Sequence, residues 1–138
     1  MTTSEISHGE VSFRETLLSC TTEVAAELGS GLTEALYRNA LAISLKQKGC
    51  EVSCEVVVPI IFQEEIIGAM RADLVVDKIR VVELKVAAKI TEGHLQQTRA
   101  YLRRMPDGST GHVINFGGAE ETTIRHVSDV KSGCKRPR

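Results

Sequence analysis

The sequence lacks any apolar run approaching the roughly 18 to 20 residues that span a bilayer, so no membrane segment is expected. Its first residues are polar and lack the basic-then-apolar profile of a secretory signal. Together these point to an intracellular chain, cytoplasmic or nuclear, with no membrane partner. Cys20, Cys50, Cys54 and Cys134 show no C-x-x-C spacing. They read as reduced thiols rather than as a disulfide framework or a zinc site. The four histidines are scattered and carry no metal signature. Excess charge is absent too. The net charge is −1, which is not the profile of a dedicated nucleic-acid binder. It suits an enzyme with an acidic site and local basic surface. Arg99, Arg103 and Arg104 are candidates for that surface, as is the tail with Lys131, Lys135, Arg136 and Arg138. The tail is more simply read as a flexible solubilising end.

What is present is ordinary globular composition. In 138 residues, 42% are hydrophobic and 25% charged, enough for one domain with a sizeable core. No repeat, low-complexity stretch or internal boundary divides it. Residues 1–10 are expected to be disordered, 11–128 to form the domain, and 129–138 to be a basic flexible tail. The spacing of apolar residues predicts helices over 11–28 and 32–48, with Gly29-Ser30-Gly31 between them. Val-rich strands follow over 50–62, 66–76 and 79–86. Pro59 places the first of these at an edge or bulge. A helix over 91–105, capped by Thr91 and stopped by Pro106-Asp107-Gly108, leads to strands over 112–116 and 122–127. A meander, a crossover helix and a returning strand make an α/β fold with a mixed sheet flanked by helices.

Residues 71–85 organise the chain. Two β-branched runs, Leu74–Val76 and Ile79–Val82, flank Asp77-Lys78 and read as a hairpin of buried strands. Asp73, Glu83 and Lys85 stand at its outer ends, where burial of an unpaired charge would cost several kcal/mol. Glu83 and Lys85 share a strand face. Asp73 joins them there only if the strands pair symmetrically about Lys78, which requires an odd-length loop or a bulge. The spacing leaves two readings open: an oxygen-ligated divalent-ion site beside a lysine, or a salt bridge closing the hairpin. Glu34 heads the apolar stripe of the second helix, either as a first-turn acid complementing the helix dipole or as a further group of that site. Gln97 and Tyr101 lie four apart on one helix face.

In order and motif the chain resembles the GxxExxY family of the PD-(D/E)XK nuclease superfamily. The carrying residues are Gly31-Leu32-Thr33-Glu34-Ala35-Leu36-Tyr37, Val58-Pro59-Ile60, Arg71-Ala72-Asp73-Leu74 and Val82-Glu83-Leu84-Lys85. Gln97-Thr98-Arg99-Ala100-Tyr101-Leu102 and Ile114-Asn115-Phe116-Gly117 complete them. The resemblance covers about residues 11–127. Ser30 stands where a proline is usual, and Ala25 where a histidine is common. The resemblance implies a restriction-endonuclease-like αβββαβ core with one extra N-terminal helix. It further implies a metal-dependent nuclease acting on DNA or RNA, in some cases as a homodimer. By position, Asp73 and Glu83 would ligate Mg²⁺, for which Mn²⁺ can substitute. Lys85 would position or deprotonate the attacking water, or stabilise charge on the phosphate. Glu34 would complete the acidic site directly or through water, and Gln97 and Tyr101 would steady the site or contact the nucleic-acid backbone. The alternative is an inactive nuclease fold retained for binding nucleic acid or protein.

Overall fold

Two helices lead into five strands, and a third helix crosses between the third and fourth strands in the computed structural model, which describes residues 7–118 and 122–129. The elements are α1 (His8–Leu28), α2 (Glu34–Gln47), β1 (Val52–Phe62), β2 (Glu65–Val76), β3 (Arg80–Lys85), α3 (Glu92–Leu102), β4 (Thr110–Asn115) and β5 (Thr123–Ser128). The sheet runs β1-β2-β3-β4-β5. Only the β3–β4 pair, which brackets the crossover helix α3, is parallel. This is the expected α/β mixed sheet. Pro59 sits in the edge strand β1, and the register slips between Ile60 and Ile61.

The helix expected from residue 11 starts earlier. Ser7 caps α1, its Oγ accepting from the Glu10 N–H at 3.1 Å, so residues 7–10, expected to be disordered, are the cap and first turn. The sequence signal failed because His8-Gly9-Glu10 carries no apolar residue; burial of Glu10 is a tertiary event. Residues 1–6 and 130–138, including the basic tail, lie outside the described residues. At the other end of the third helix, Arg103 to Met105 leave the α-helix that was expected to include them. Thr91 does cap α3, and His94 answers it with its own side chain.

Each sheet face carries its own core. On one, Phe13, Leu17 and Val24 of α1 and Leu41 and Leu45 of α2 pack on Leu74, Val76, Val82, Leu84, Ile114 and Phe116. On the other, Leu95, Tyr101 and Leu102 of α3 pack on Ala72, Val75, Val81, Val113 and Val127. Alternate residues of β3 and β4 divide between the faces, as the pleat requires. Gly111 lets α3 approach β4: a Cβ there would stand 2.6 Å from Thr98 Cγ2.

A polar network closes the end of the sheet away from the hairpin mouth. The Glu10 carboxylate pairs with the Arg80 guanidinium, and also accepts from Arg14 at 2.9 Å and from Thr110 Oγ1 at 3.1 Å. Thr110 Oγ1 lies 3.0 Å from Nε2 of His112, whose Nδ1 lies 2.8 Å from His126 Nδ1. Burial, then His126 and the arginines nearby, push His112 down to about 2, so the ring is neutral. Side-chain exposure is 8% for Glu10 and 11% for Arg80. Removing one partner therefore strands a buried charge. Glu10→Ala is expected to lower stability by about 3–5 kcal/mol in urea unfolding. Adding Arg80→Met should recover a large part of that loss.

Candidate active site

The turn between β2 and β3 decides which side chains meet. Asp77 and Lys78 both take left-handed backbone, with φ 50° and 68°. The Ile79 N–H returns to Val76 O at 3.3 Å, and pairing resumes at Val76↔Arg80. Ile79 is thus the extra residue that makes the loop odd. Asp77 pins the turn to the mouth of β1: its N–H donates to Glu51 O at 2.8 Å, and its Oδ1 accepts from the Glu51 N–H at 2.9 Å. The ladder runs Val76↔Arg80, Val75↔Val81, Leu74↔Val82. One further step in that register brings Asp73 to Glu83.

There the strands part. Asp73 Oδ2 accepts from the Leu84 N–H at 2.8 Å, so this carboxylate turns onto the β3 backbone rather than standing on a face. The Glu83 carboxyl lies within hydrogen-bonding reach of Asp73 and is pushed up to about 8. Burial is the largest cause, and the Asp73 charge comes next; Lys85 pulls the other way. The alternative of a closing salt bridge is not formed. Among the described residues neither carboxylate has a cation within 4.0 Å, and Lys85 Nζ instead donates to Gln97 Oε1 at 3.5 Å. The two acids therefore face each other without a counter-charge in contact.

Glu34 is not gathered in. It opens α2 as an exposed residue, and Thr33, its cap, makes no side-chain bond. Among the described residues no three His, Cys, Asp or Glu side chains converge closely enough to hold an ion. The rest of the Gly31-to-Tyr37 motif braces the loop ahead of Glu34. Gly31 has φ 98°, a conformation costly for a side chain. The Tyr37 hydroxyl donates to Gly29 O at 2.6 Å and accepts from the Leu32 N–H at 3.3 Å. Its ring stacks on Phe116. Tyr101 is 1% exposed and donates to Val56 O at 3.0 Å. It ties α3 to β1 beneath Glu83, and its burial keeps it from a ligand. Gln97 is exposed and reaches Lys85.

Asn115, in the last of the matching motifs, is buried at the end of β4. Its Oδ1 accepts from the Ala87 and Gly117 N–H groups, both at 3.0 Å, and its Nδ2 donates to Ala87 O at 2.9 Å. A Cβ on Gly117 would stand 2.5 Å from Ala87 N. Asn115-Phe116-Gly117 thereby clamps the chain leaving Lys85. The available signal was an amide among the apolar residues Val113, Ile114 and Phe116, which requires partners when buried.

Residues 12–127 match the sequence model of the PD-(D/E)XK nuclease superfamily. The chain belongs to that superfamily. No curated protein matches the sequence. Among solved structures, one titled "Crystal structure of SSO0001" is similar at 15% identity and a TM-score of 0.45. The alignment covers 79% of this chain and 61% of that one.

The donor set fits a hard cation. Two carboxylates, one with an oxygen taken by the Leu84 N–H, suit a divalent ion that completes its shell with waters and phosphate oxygens. Without an ion the pair resists double ionisation. The Glu83 pKa is raised in the fold, so its contribution to stability is complete below the unfolded value near 4.5. It is lost as pH rises toward about 8. In chelator, Glu83→Gln is therefore expected to gain on wild type between pH 5 and pH 8, by at most about 1.4 kcal/mol per pH unit. Denaturant unfolding at four pH values reads this directly, and parallel pH profiles would contradict it.

Proposed function

We propose that this chain is a metal-dependent nuclease of the GxxExxY type that hydrolyses phosphodiester bonds in DNA or RNA. The observation that carries the reading is the Asp73–Glu83 pair, held together at the parting of β2 and β3 with no cation in contact among the described residues and with Lys85 on the same strand as Glu83. Superfamily membership over most of the chain supports it.

In this reading Asp73 and Glu83 hold Mg²⁺, or Mn²⁺ in its place. A bound ion of this kind supplies neutralisation of phosphate charge and a water of lowered pKa. The Leu84 N–H orients Asp73 by holding Oδ2. Lys85, kept in reach by Gln97 and by the Asn115 clamp on the following residues, positions or deprotonates the attacking water, or stabilises charge developing on the phosphate. Glu34 joins the acidic site directly or through water when substrate and ion are bound. Tyr37 sets its approach by bracing the loop before it. Tyr101 acts from below, by fixing α3 under Glu83. Arg99 and Arg103 are held in ion pairs with Glu92 and Asp129, so their contribution to phosphate binding is secondary.

Calorimetric titration with Mg²⁺ and Mn²⁺, paired with cleavage assays on single- and double-stranded DNA and RNA, tests this. Wild type should bind the ion and cut at least one substrate, and Asp73→Ala with Glu83→Ala should do neither. Lys85→Ala should keep ion binding and lose roughly 10²- to 10⁴-fold in rate, the range for removal of a positioned proton-transfer or charge-stabilising group. Absence of divalent-ion binding at millimolar concentration, with and without nucleic acid, would sink the nuclease reading and leave a nuclease fold used for binding.

A further inference from the structure

β1 and β2 exchange faces at one position. Ala72 and Val75 lie in the core under α3, whereas Leu74 and Val76 lie in the core under α1 and α2. Alternation along β2 is therefore broken at Asp73. β1 breaks at the matching place, since Val52 packs on the α1–α2 core and Val56 on the α3 core. The pairs Cys54↔Leu74 and Val56↔Ala72 flank that place, so Glu55 stands across from Asp73. Glu55 takes left-handed backbone, with φ 53°, a costly conformation for a residue with a side chain. Beyond it β2 pairs with β1 but not with β3, and the two strands run out as an arm.

A cavity of about 430 Å³ opens between the base of this arm and α3, lined by Val57, Ala69, Met70, Arg71 and Gln97. It adjoins the acidic pair on two sides. Arg71 precedes Asp73 by two residues, about 7 Å along a strand. Gln97 forms another part of the wall, and its Oε1 accepts from Lys85 Nζ at 3.5 Å. We propose that this cavity takes the base of one unpaired nucleotide next to the scissile phosphate, so that the substrate is a single strand of DNA or RNA. The position of that phosphate rests on the nuclease reading.

The lining selects the occupant. Val57, Ala69 and Met70 give apolar walls for a flat ring, and the Gln97 Nε2 remains to donate at its edge. The volume lies within the roughly 300–1,000 Å³ of small-ligand sites, room for a nucleotide rather than a helix. Among the described residues Arg71 is the one cation lining it. A guanidinium can stack on a base or fork onto a phosphate. The Arg71 side chain is 64% exposed and stands 4.0 Å from Glu55, which Arg38 already holds at 3.0 Å. Arg71 can therefore turn to a ligand without leaving Glu55 unpaired. A duplex suits the cavity poorly. It is held by cations along its phosphates, and Arg99 and Arg103 are engaged by Glu92 and Asp129. Its bases are also stacked inside and cannot enter a pocket without being extruded.

Binding of short labelled oligonucleotides to the full chain, followed by fluorescence anisotropy with Ca²⁺ in place of Mg²⁺, tests this. A single strand of DNA or of RNA should bind roughly 5- to 150-fold tighter than a duplex of the same sequence, the worth of one stacked base. One abasic nucleotide, moved along that strand, should cost the same factor at a single position. Ala69→Trp fills the cavity and should remove that positional penalty, with the intact strand bound no better than the abasic one. Val57→Trp fills it from β1 and keeps the test open should the first variant misfold. Arg71→Ala should weaken the single strand roughly tenfold or more. All three variants should match wild type in Mg²⁺ calorimetry, since none removes a carboxylate. Equal affinity for single strand and duplex, an abasic scan with no position of loss, or an undiminished penalty in both tryptophan variants would overturn the proposal. Mg²⁺-dependent cleavage with any of those results would strike the cavity and leave the nuclease reading. The abasic signature without Mg²⁺ binding or cleavage would strike the nuclease reading and keep the cavity as a site for an unpaired base.

Discussion

One extra residue in one turn governs this structure. Ile79 makes the β2–β3 loop odd, and a one-residue change in register moves every side chain of a strand to the other face. With Ile79 counted in, Leu74, Val76, Val82 and Leu84 all enter the core under α1 and α2, and Asp73 comes to Glu83. Without it the same two strands would set the carboxylates on opposite faces. The turn is held by contacts beyond itself. Asp77 grips Glu51 at the start of β1, and Ile79 O accepts from the Thr110 N–H at the start of β4. The hairpin is thus fastened to the strands on either side before its acids meet.

Bringing two acids together costs free energy, and the surroundings show how the chain bears it. Both apolar cores lie just inside the pair, and the Leu84 N–H takes one oxygen of Asp73. Tyr101 and Asn115 stand further out. Each is a buried polar group fully engaged with backbone, one tying α3 to β1 and the other tying the chain after Lys85 to β4. Buried polar groups that are satisfied in this way rigidify what they bind.

The two ends of β2 show opposite solutions to exposed edges and buried charge. Near Arg80 the charges are matched within the chain, with Glu10 meeting Arg80, Arg14 and Thr110. At the outer parts of β1 and β2, apolar side chains are left open, and Ile67 forms a bulge beside Gly68. The chain thus buries its polar network and leaves the apolar side chains Phe62, Ile66 and Ile67 exposed on the arm.

Element order, the mixed sheet, the α/β class and the parity requirement on Asp73 and Glu83 were legible from the sequence, because hydrophobic period and turn residues are local signals. So were the motifs that place the chain in its superfamily. The start of α1 was not, since Glu10 is drawn inward by Arg80, seventy positions away. The clamp by Asn115 was not, because an amide at a strand end reveals its partners only once β3 and β4 lie parallel. Glu34 was legible as a motif residue but not as a neighbour of Asp73, and tertiary structure leaves it exposed at the head of α2. Sequence by itself determined which residues carry charge onto buried strands. Only the packed sheet decided which of them touch, because contact between distant residues depends on register and on where strands part.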